Sequence, residues 1–213
     1  MGTIKKGILG GFSGTVGTVV GANWRGMDVI RSRPKASSSN PTPQQLLQRE
    51  KFALAIKFQN ALRQMQSRLY GNNVGVKSRV NLAASYLLKE VVTVENGEAV
   101  IQMDKVLITK GDITGFENLT MTVAANQTLE FLWDDNSNQM QTQQGDIFCT
   151  AVFEEESGTF SVKEGPESRN LGAAAVSLPV NWTGKTVHTY AFFQNVEQTA
   201  ACNSVYLGTA ILT

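Results

Sequence analysis

The spacing of apolar residues changes once along this 213-residue chain, and the change constrains the fold class. Between about residues 43 and 91, apolar side chains recur every three or four positions. Leu47, Leu54, Phe58, Ala61, Met65 and Leu69 form one stripe, widened by Phe52, Ile56 and Leu62. From Ala99 onward apolar and polar residues alternate. A period near 3.6 belongs to an amphipathic helix, and a period of 2 to a half-buried strand. The chain is therefore expected to be α+β, with helices preceding a run of strands.

The first helix is expected to start with Thr42 as N-cap, Pro43 in the first turn and Gln45 at the capping-box position. It should run to about Tyr70, where Gly71-Asn72-Asn73 ends it. A second helix is predicted from Lys77 to Val91, with Leu82, Ala83, Tyr86, Leu87 and Glu90 placing its apolar side on the first. Strands are predicted over 99–108, 119–124, 128–133, 146–153, 159–163, 171–178, 185–193 and 204–212. Turn residues separate them, at Lys110-Gly111-Asp112, Asp134-Asp135-Asn136-Ser137-Asn138, Ser157-Gly158 and Thr183-Gly184. Short strands so spaced predict an antiparallel β-sandwich.

Residues 1–34 read as a Gly-punctuated β-hairpin arm. Thr15-Val16-Gly17-Thr18-Val19-Val20 is one strand-like run and residues 27–33 another, with Asn23-Trp24-Arg25-Gly26 as the turn. Gly26 is the residue expected at positive φ. A two-stranded ribbon alone is marginal in water, so the arm must dock on something, either its own C-terminal domain or another subunit. Three segments follow: an arm at 1–34, a linker and basic helical hairpin at 35–94, and an acidic β-sandwich at 95–213.

Charge divides along nearly the same line. Residues 1–90 hold 14 Lys and Arg against 3 acids, a net +11, and residues 91–213 hold 5 against 15, a net −10. The whole chain is close to neutral at +1. Such a bipolar chain favours head-to-tail contact between copies. Charged residues make up only 17% of the chain, below the usual ~25%; that suits a surface packed against other subunits.

Candidate chemistry is sparse. His188 is the only histidine, so any triad must use it, and it sits in an alternating strand between Val187 and Thr189. Gly10-Gly11-Phe12-Ser13-Gly14 lacks the Gly-Lys-Ser/Thr ending of a phosphate loop and reads as turn and strand. Asp134 to Asn138 lacks the glycine and distal glutamate of an EF-hand and reads as a hairpin turn. Cys149 lies in an apolar run and reads as a buried thiol, with pairing to Cys202 left open. No catalytic residue, metal ligand or cofactor is expected.

Two resemblances extend this reading. Leu178-Pro179, followed by Trp182 and Tyr190, resembles the strand-to-strand corner of fibronectin type III and immunoglobulin-like domains. That resemblance implies a Tyr190 hydroxyl bonded back across the corner. The string Gly7-Ile8-Leu9-Gly10-Gly11-Phe12-Ser13-Gly14, then Val16-Gly17, Val19-Val20-Gly21, Trp24, Gly26, Val29, Arg31-Ser32 and Pro34, resembles an uncharacterised protein family from Bacteroidota. The likeness continues through Gln48-Arg49, Lys51-Phe52-Ala53-Leu54 and Asn81-Leu82-Ala83-Ala84-Ser85-Tyr86. It implies relatives and no activity.

The leading expectation is a non-enzymatic structural protein that self-assembles as a filament, sheath or virion-like component. Phe12, Val16, Val19, Trp24, Val29 and Ile30 are the expected interface anchors. Arg25, Arg31 and Arg33 are expected to pair with Glu154, Glu155 and Glu156. A second class is a binding module whose sandwich recognises a protein or glycan through Trp133, Trp182 and Phe193. A third is nucleic-acid binding by the basic half, with affinity falling steeply in salt. The glycine-interrupted N-terminus is not read as a signal peptide, and no apolar run approaches the ~20 residues of a membrane span. Synthesis in the cytoplasm is expected, with an extracellular or virion-like assembly as one destination.

Overall fold

Glycines set the geometry of the N-terminal segment in the computed structural model, which describes residues 2–3, 12–35 and 40–213. Residues 7–11 of the Gly-rich signature and residues 36–39 of the linker lie outside the described residues. Two compact units emerge, residues 1–42 and residues 43–213.

The first unit is a four-stranded antiparallel sheet of β1 (Gly2–Thr3), β2 (Gly14–Val16), β3 (Val19–Trp24) and β4 (Met27–Ser32), in the order β1-β4-β3-β2. The expected hairpin is β3 with β4. Its turn is Arg25-Gly26, with φ of 51° and 80°. Two central residues in the left-handed region make a type I′ turn, whose twist matches that of the flanking strands. Asn23 steadies it: its Oδ1 accepts the Gly26 N–H at 3.1 Å and its Nδ2 donates to Asp28 Oδ1 at 3.1 Å. The run 15–20, expected as one strand, is instead folded in two. Gly17 adopts φ 60°, which reverses the chain and pairs Val16 with Val19.

The second unit begins with α1 (Pro43–Asn60), α2 (Arg63–Leu69) and α3 (Arg79–Tyr86). The long helix expected to reach Tyr70 breaks at Ala61-Leu62, where the Leu62 N–H takes the Gln59 carbonyl, one residue short of helical reach. Ser78 caps α3 by accepting the Asn81 N–H, and the helix leaves through a π-helical turn, Leu87–Val91. A hairpin not expected from the sequence follows: β5 (Val92–Glu95) pairs with β6 (Glu98–Ile101) around Asn96-Gly97.

The strands β7 (Glu117–Ala124), β8 (Thr128–Asp134), β9 (Ile147–Glu154), β10 (Thr159–Ser168), β11 (Ala173–Ser177), β12 (Thr186–Gln194) and β13 (Val205–Ile211) build the sandwich. One sheet runs β11-β8-β7 and the other β10-β9-β12-β13. This seven-stranded antiparallel arrangement is the fibronectin III/immunoglobulin-like sandwich, so the chain is α+β as read. Burial alternates along β8 but is almost unbroken along β9 and β12. The reason is a third layer. Helices and the β5-β6 hairpin cover the outer face of the larger sheet, and Phe58 of α1 meets Phe153 and Phe160 with ring centroids 5.3 and 5.1 Å away. Helical Leu62, Met65, Leu69 and Leu87 share one hydrophobic cluster with sandwich Val152, Phe192 and Leu212.

Candidate interaction site

Coverage of that outer face is incomplete, and the gap is a groove of ~640 Å3. Register explains which strand residues line it. Phe153 pairs with both Phe160 and His188, so all three point away from the opposing sheet. Leu54 and Phe58 of α1, Ile101 of β6 and Met103 close the other side. Tyr190 lies on the same outer face, and this redirects its hydroxyl. It donates to the Met103 carbonyl at 2.7 Å instead of bonding across the 178–184 corner. Burial drives its phenol far above the ordinary value, reinforced by Tyr206 and Asp104.

His188 Nδ1 and the Tyr206 hydroxyl are 2.9 Å apart on the groove wall. Burial pulls the imidazole below its ordinary value, while the charge of Glu155 pushes the other way. Burial raises the Tyr206 phenol, and Asp104 and Glu155 add to the rise. Asp104 and Glu155 are exposed and make no ion pair among the described residues. The groove is therefore a largely apolar, aromatic trough, with two carboxylates near Tyr206 that make no ion pair among the described residues and with Lys57 of α1 also on its lining.

The three expected acidic partners part company here. Glu155 stays available. Glu156 is exposed but reaches Lys185 at 3.2 Å. Glu154 is fully buried: it accepts the Glu156 and Ser157 N–H groups at 2.8 Å each and faces Lys185 at 3.5 Å. Burial raises its carboxyl, yet those hydrogen bonds and Lys185 together outweigh the burial and hold it below the ordinary value. Glu154 is thus a turn residue and not a surface partner.

In the arm, Val29 is 8% exposed and is the sole buried side chain among the described residues of its unit. It is an internal residue and not an external anchor. Cross-strand partners share a face, so the pairings assign the others. Val20, Ala22 and Trp24 lie with Arg31, Val29 and Met27, while Val16, Val19 and Ile30 lie on the opposite face. Phe12 joins the second face over Gly21, where a Cβ would come within 2.7 Å of its ring. Val16 is 65% and Trp24 48% exposed. The Arg25 guanidinium stands 5.2 Å from the Trp24 ring, and Arg31 and Arg33 are exposed.

Other expected surfaces are internal. Trp133, Trp182 and Phe193 all lie in the core, so they offer no binding face; burying a large aromatic removes ~150–250 Å2 from water. Asn136 of the Asp134–Asn138 loop accepts from Arg169 at 2.7 Å, and Asp134 accepts from Asn118 at 2.6 Å. Sequence reading missed Arg169. It is the single arginine of the acidic half and is completely buried. Its guanidinium meets Asp146 at 3.1 Å, donates to the Thr114 and Gly115 carbonyls, and stacks 4.0 Å over Phe193. Cys149 and Cys202 are buried free thiols.

A family model covers residues 11–208, almost the whole of this architecture. The chain belongs to the family of unknown function DUF6266. No curated protein matches it significantly in sequence. Among solved structures it is similar to the fn3 domain of the human collagen alpha-1(XX) chain, at 10% identity and a TM-score of 0.33, over 49% of this chain and 85% of that one. The fn3 domain of human contactin 1 gives 4% identity and a TM-score of 0.34, over 49% and 83%. Among the described residues no helix is long and apolar enough to cross a membrane.

Proposed function

We propose that this DUF6266 member is a non-catalytic structural protein that associates with further copies of itself through its N-terminal arm. One observation carries the reading: the arm's four-stranded sheet has a single buried side chain among its described residues. Each fully buried aliphatic or aromatic side chain contributes only ~1.5–3 kcal/mol. A sheet so poor in core must cover its faces with other surface. Strand β2 stands at one edge with exposed residues, the geometry that accepts a strand from a neighbour. Charge supports the same reading. Residues 1–42 hold six Lys and Arg against one acid, a net +5, and residues 43–213 hold thirteen against seventeen, a net −4. Opposite charge on two different surfaces of one chain orients head-to-tail contacts, which close into rings or extend into filaments.

Sedimentation velocity and negative-stain microscopy of the full chain, beside a chain lacking residues 1–34, test this. The full chain should form ordered oligomers and the truncated chain a soluble monomer. Assembly by the truncated chain would remove the arm from the mechanism.

A further inference from the structure

The exposed aromatic and cationic tip of the arm and the aromatic, carboxylate-flanked groove on the sandwich unit match in chemical class. We propose that the groove lined by Phe58, Ile101, Met103, Phe153 and Tyr206 receives the Trp24-Arg25 hairpin tip of a second copy of this chain. The inference rests on the arm-mediated association proposed above and names its receptor. At ~640 Å3 the groove accommodates an indole and its neighbours, and its floor is aromatic and aliphatic. The tip offers Trp24, 48% exposed, beside Met27, 40% exposed, on one face of the arm sheet. Tryptophan and arginine are the side chains that most often dominate an interface, through filling a pocket whose surroundings exclude water.

Charge fixes the orientation. Asp104 and Glu155 flank Tyr206 without ion pairs among the described residues, and Arg25 rides on the Trp24 ring that would enter beside them. The type I′ turn already holds the tip in shape, so little conformational entropy is lost on docking. Tip and groove are different surfaces carried by every copy. The contact is therefore heterologous, and closes into a ring or extends into a filament.

The test uses full-length chains in sedimentation equilibrium. A tip variant carries Trp24→Ala and Arg25→Glu, and a groove variant carries Asp104→Lys and Glu155→Lys. All four positions are exposed, and unchanged circular dichroism should confirm folding. Each variant should self-associate about thirtyfold or more weakly than the parent. An equimolar mixture should form a one-to-one heterodimer and nothing larger, because only one intact tip and one intact groove remain. A groove variant that assembles like the parent, while the chain lacking residues 1–34 is monomeric, overturns the groove assignment and leaves the arm reading standing. A monomeric parent, or assembly by the truncated chain, overturns the arm reading and this inference with it.

Discussion

At the scale of single residues, one buried ion pair and one buried carboxylate do different work. Arg169 joins three loops and the β9-β12 sheet at one end of the sandwich, through Asp146, Asn136, two carbonyls and the Phe193 ring. Arg169→Met leaves Asp146 charged, buried and unpaired, which typically costs ~3–5 kcal/mol. Urea denaturation should show a loss of that size, with part restored when Asp146→Asn is added. No local pattern marks this arginine; its partners come from 23 to 55 residues away in the chain. Glu154 acts through pH. Its folded carboxyl sits below the ordinary value of 4.5, so the unfolded chain takes up the proton first. Its contribution is complete above that ordinary value and is lost as pH falls through the lower folded one. The stability difference between the parent and Glu154→Gln should therefore be largest at neutral pH and shrink below about pH 4.5, a convergence that thermal melts across pH would reveal.

At the scale of elements, the helices are legible from periodicity but their role is not. The apolar stripe predicted one helix face, and Phe58, Met65 and Leu69 are indeed buried. Ala61 and Phe52 are exposed despite belonging to the pattern. Ala61 sits at the break between α1 and α2, and Phe52 lies on a part of α1 that no other described element of its unit covers. Phe58 anchors α1 to the larger sheet through Phe153 and Phe160. Phe58→Ala should cost about 3–5 kcal/mol and lower the denaturation midpoint of helix and sandwich together, since both share one core. The β5-β6 hairpin was visible in principle. Val92-Thr93-Val94-Glu95 and Glu98-Ala99-Val100-Ile101 flank an Asn-Gly pair, the strongest short hairpin signal. The strand expected over 99–108 overlaps only the hairpin's second half, β6, which stops at Ile101 because Met103–Lys105 form a 3-10 turn.

At the scale of the whole molecule, charge is divided between the two units. The split between residues 1–90 and 91–213 does not coincide with the two compact units. Part of it is spent inside the second unit, where Arg68 of α2 meets Glu164 of β10 at 2.8 Å. What remains is an arm of +5 and a body of −4. Exposed charges are screened over ~10 Å at 0.1 M salt and ~3 Å at 1 M. Association of the full chain should therefore weaken as salt rises while the apolar contribution persists, and sedimentation from low to high salt would measure the two shares. The sequence by itself determined the seven sandwich strands, the Arg25-Gly26 turn and the charge balance, because each depends on neighbours a few residues apart. Only tertiary structure decided which strand faces are covered, where Tyr190 points, and that Ile101, Phe153 and Tyr206 line one groove. Those residues are far apart in the chain, and sheet register and helix docking bring them together.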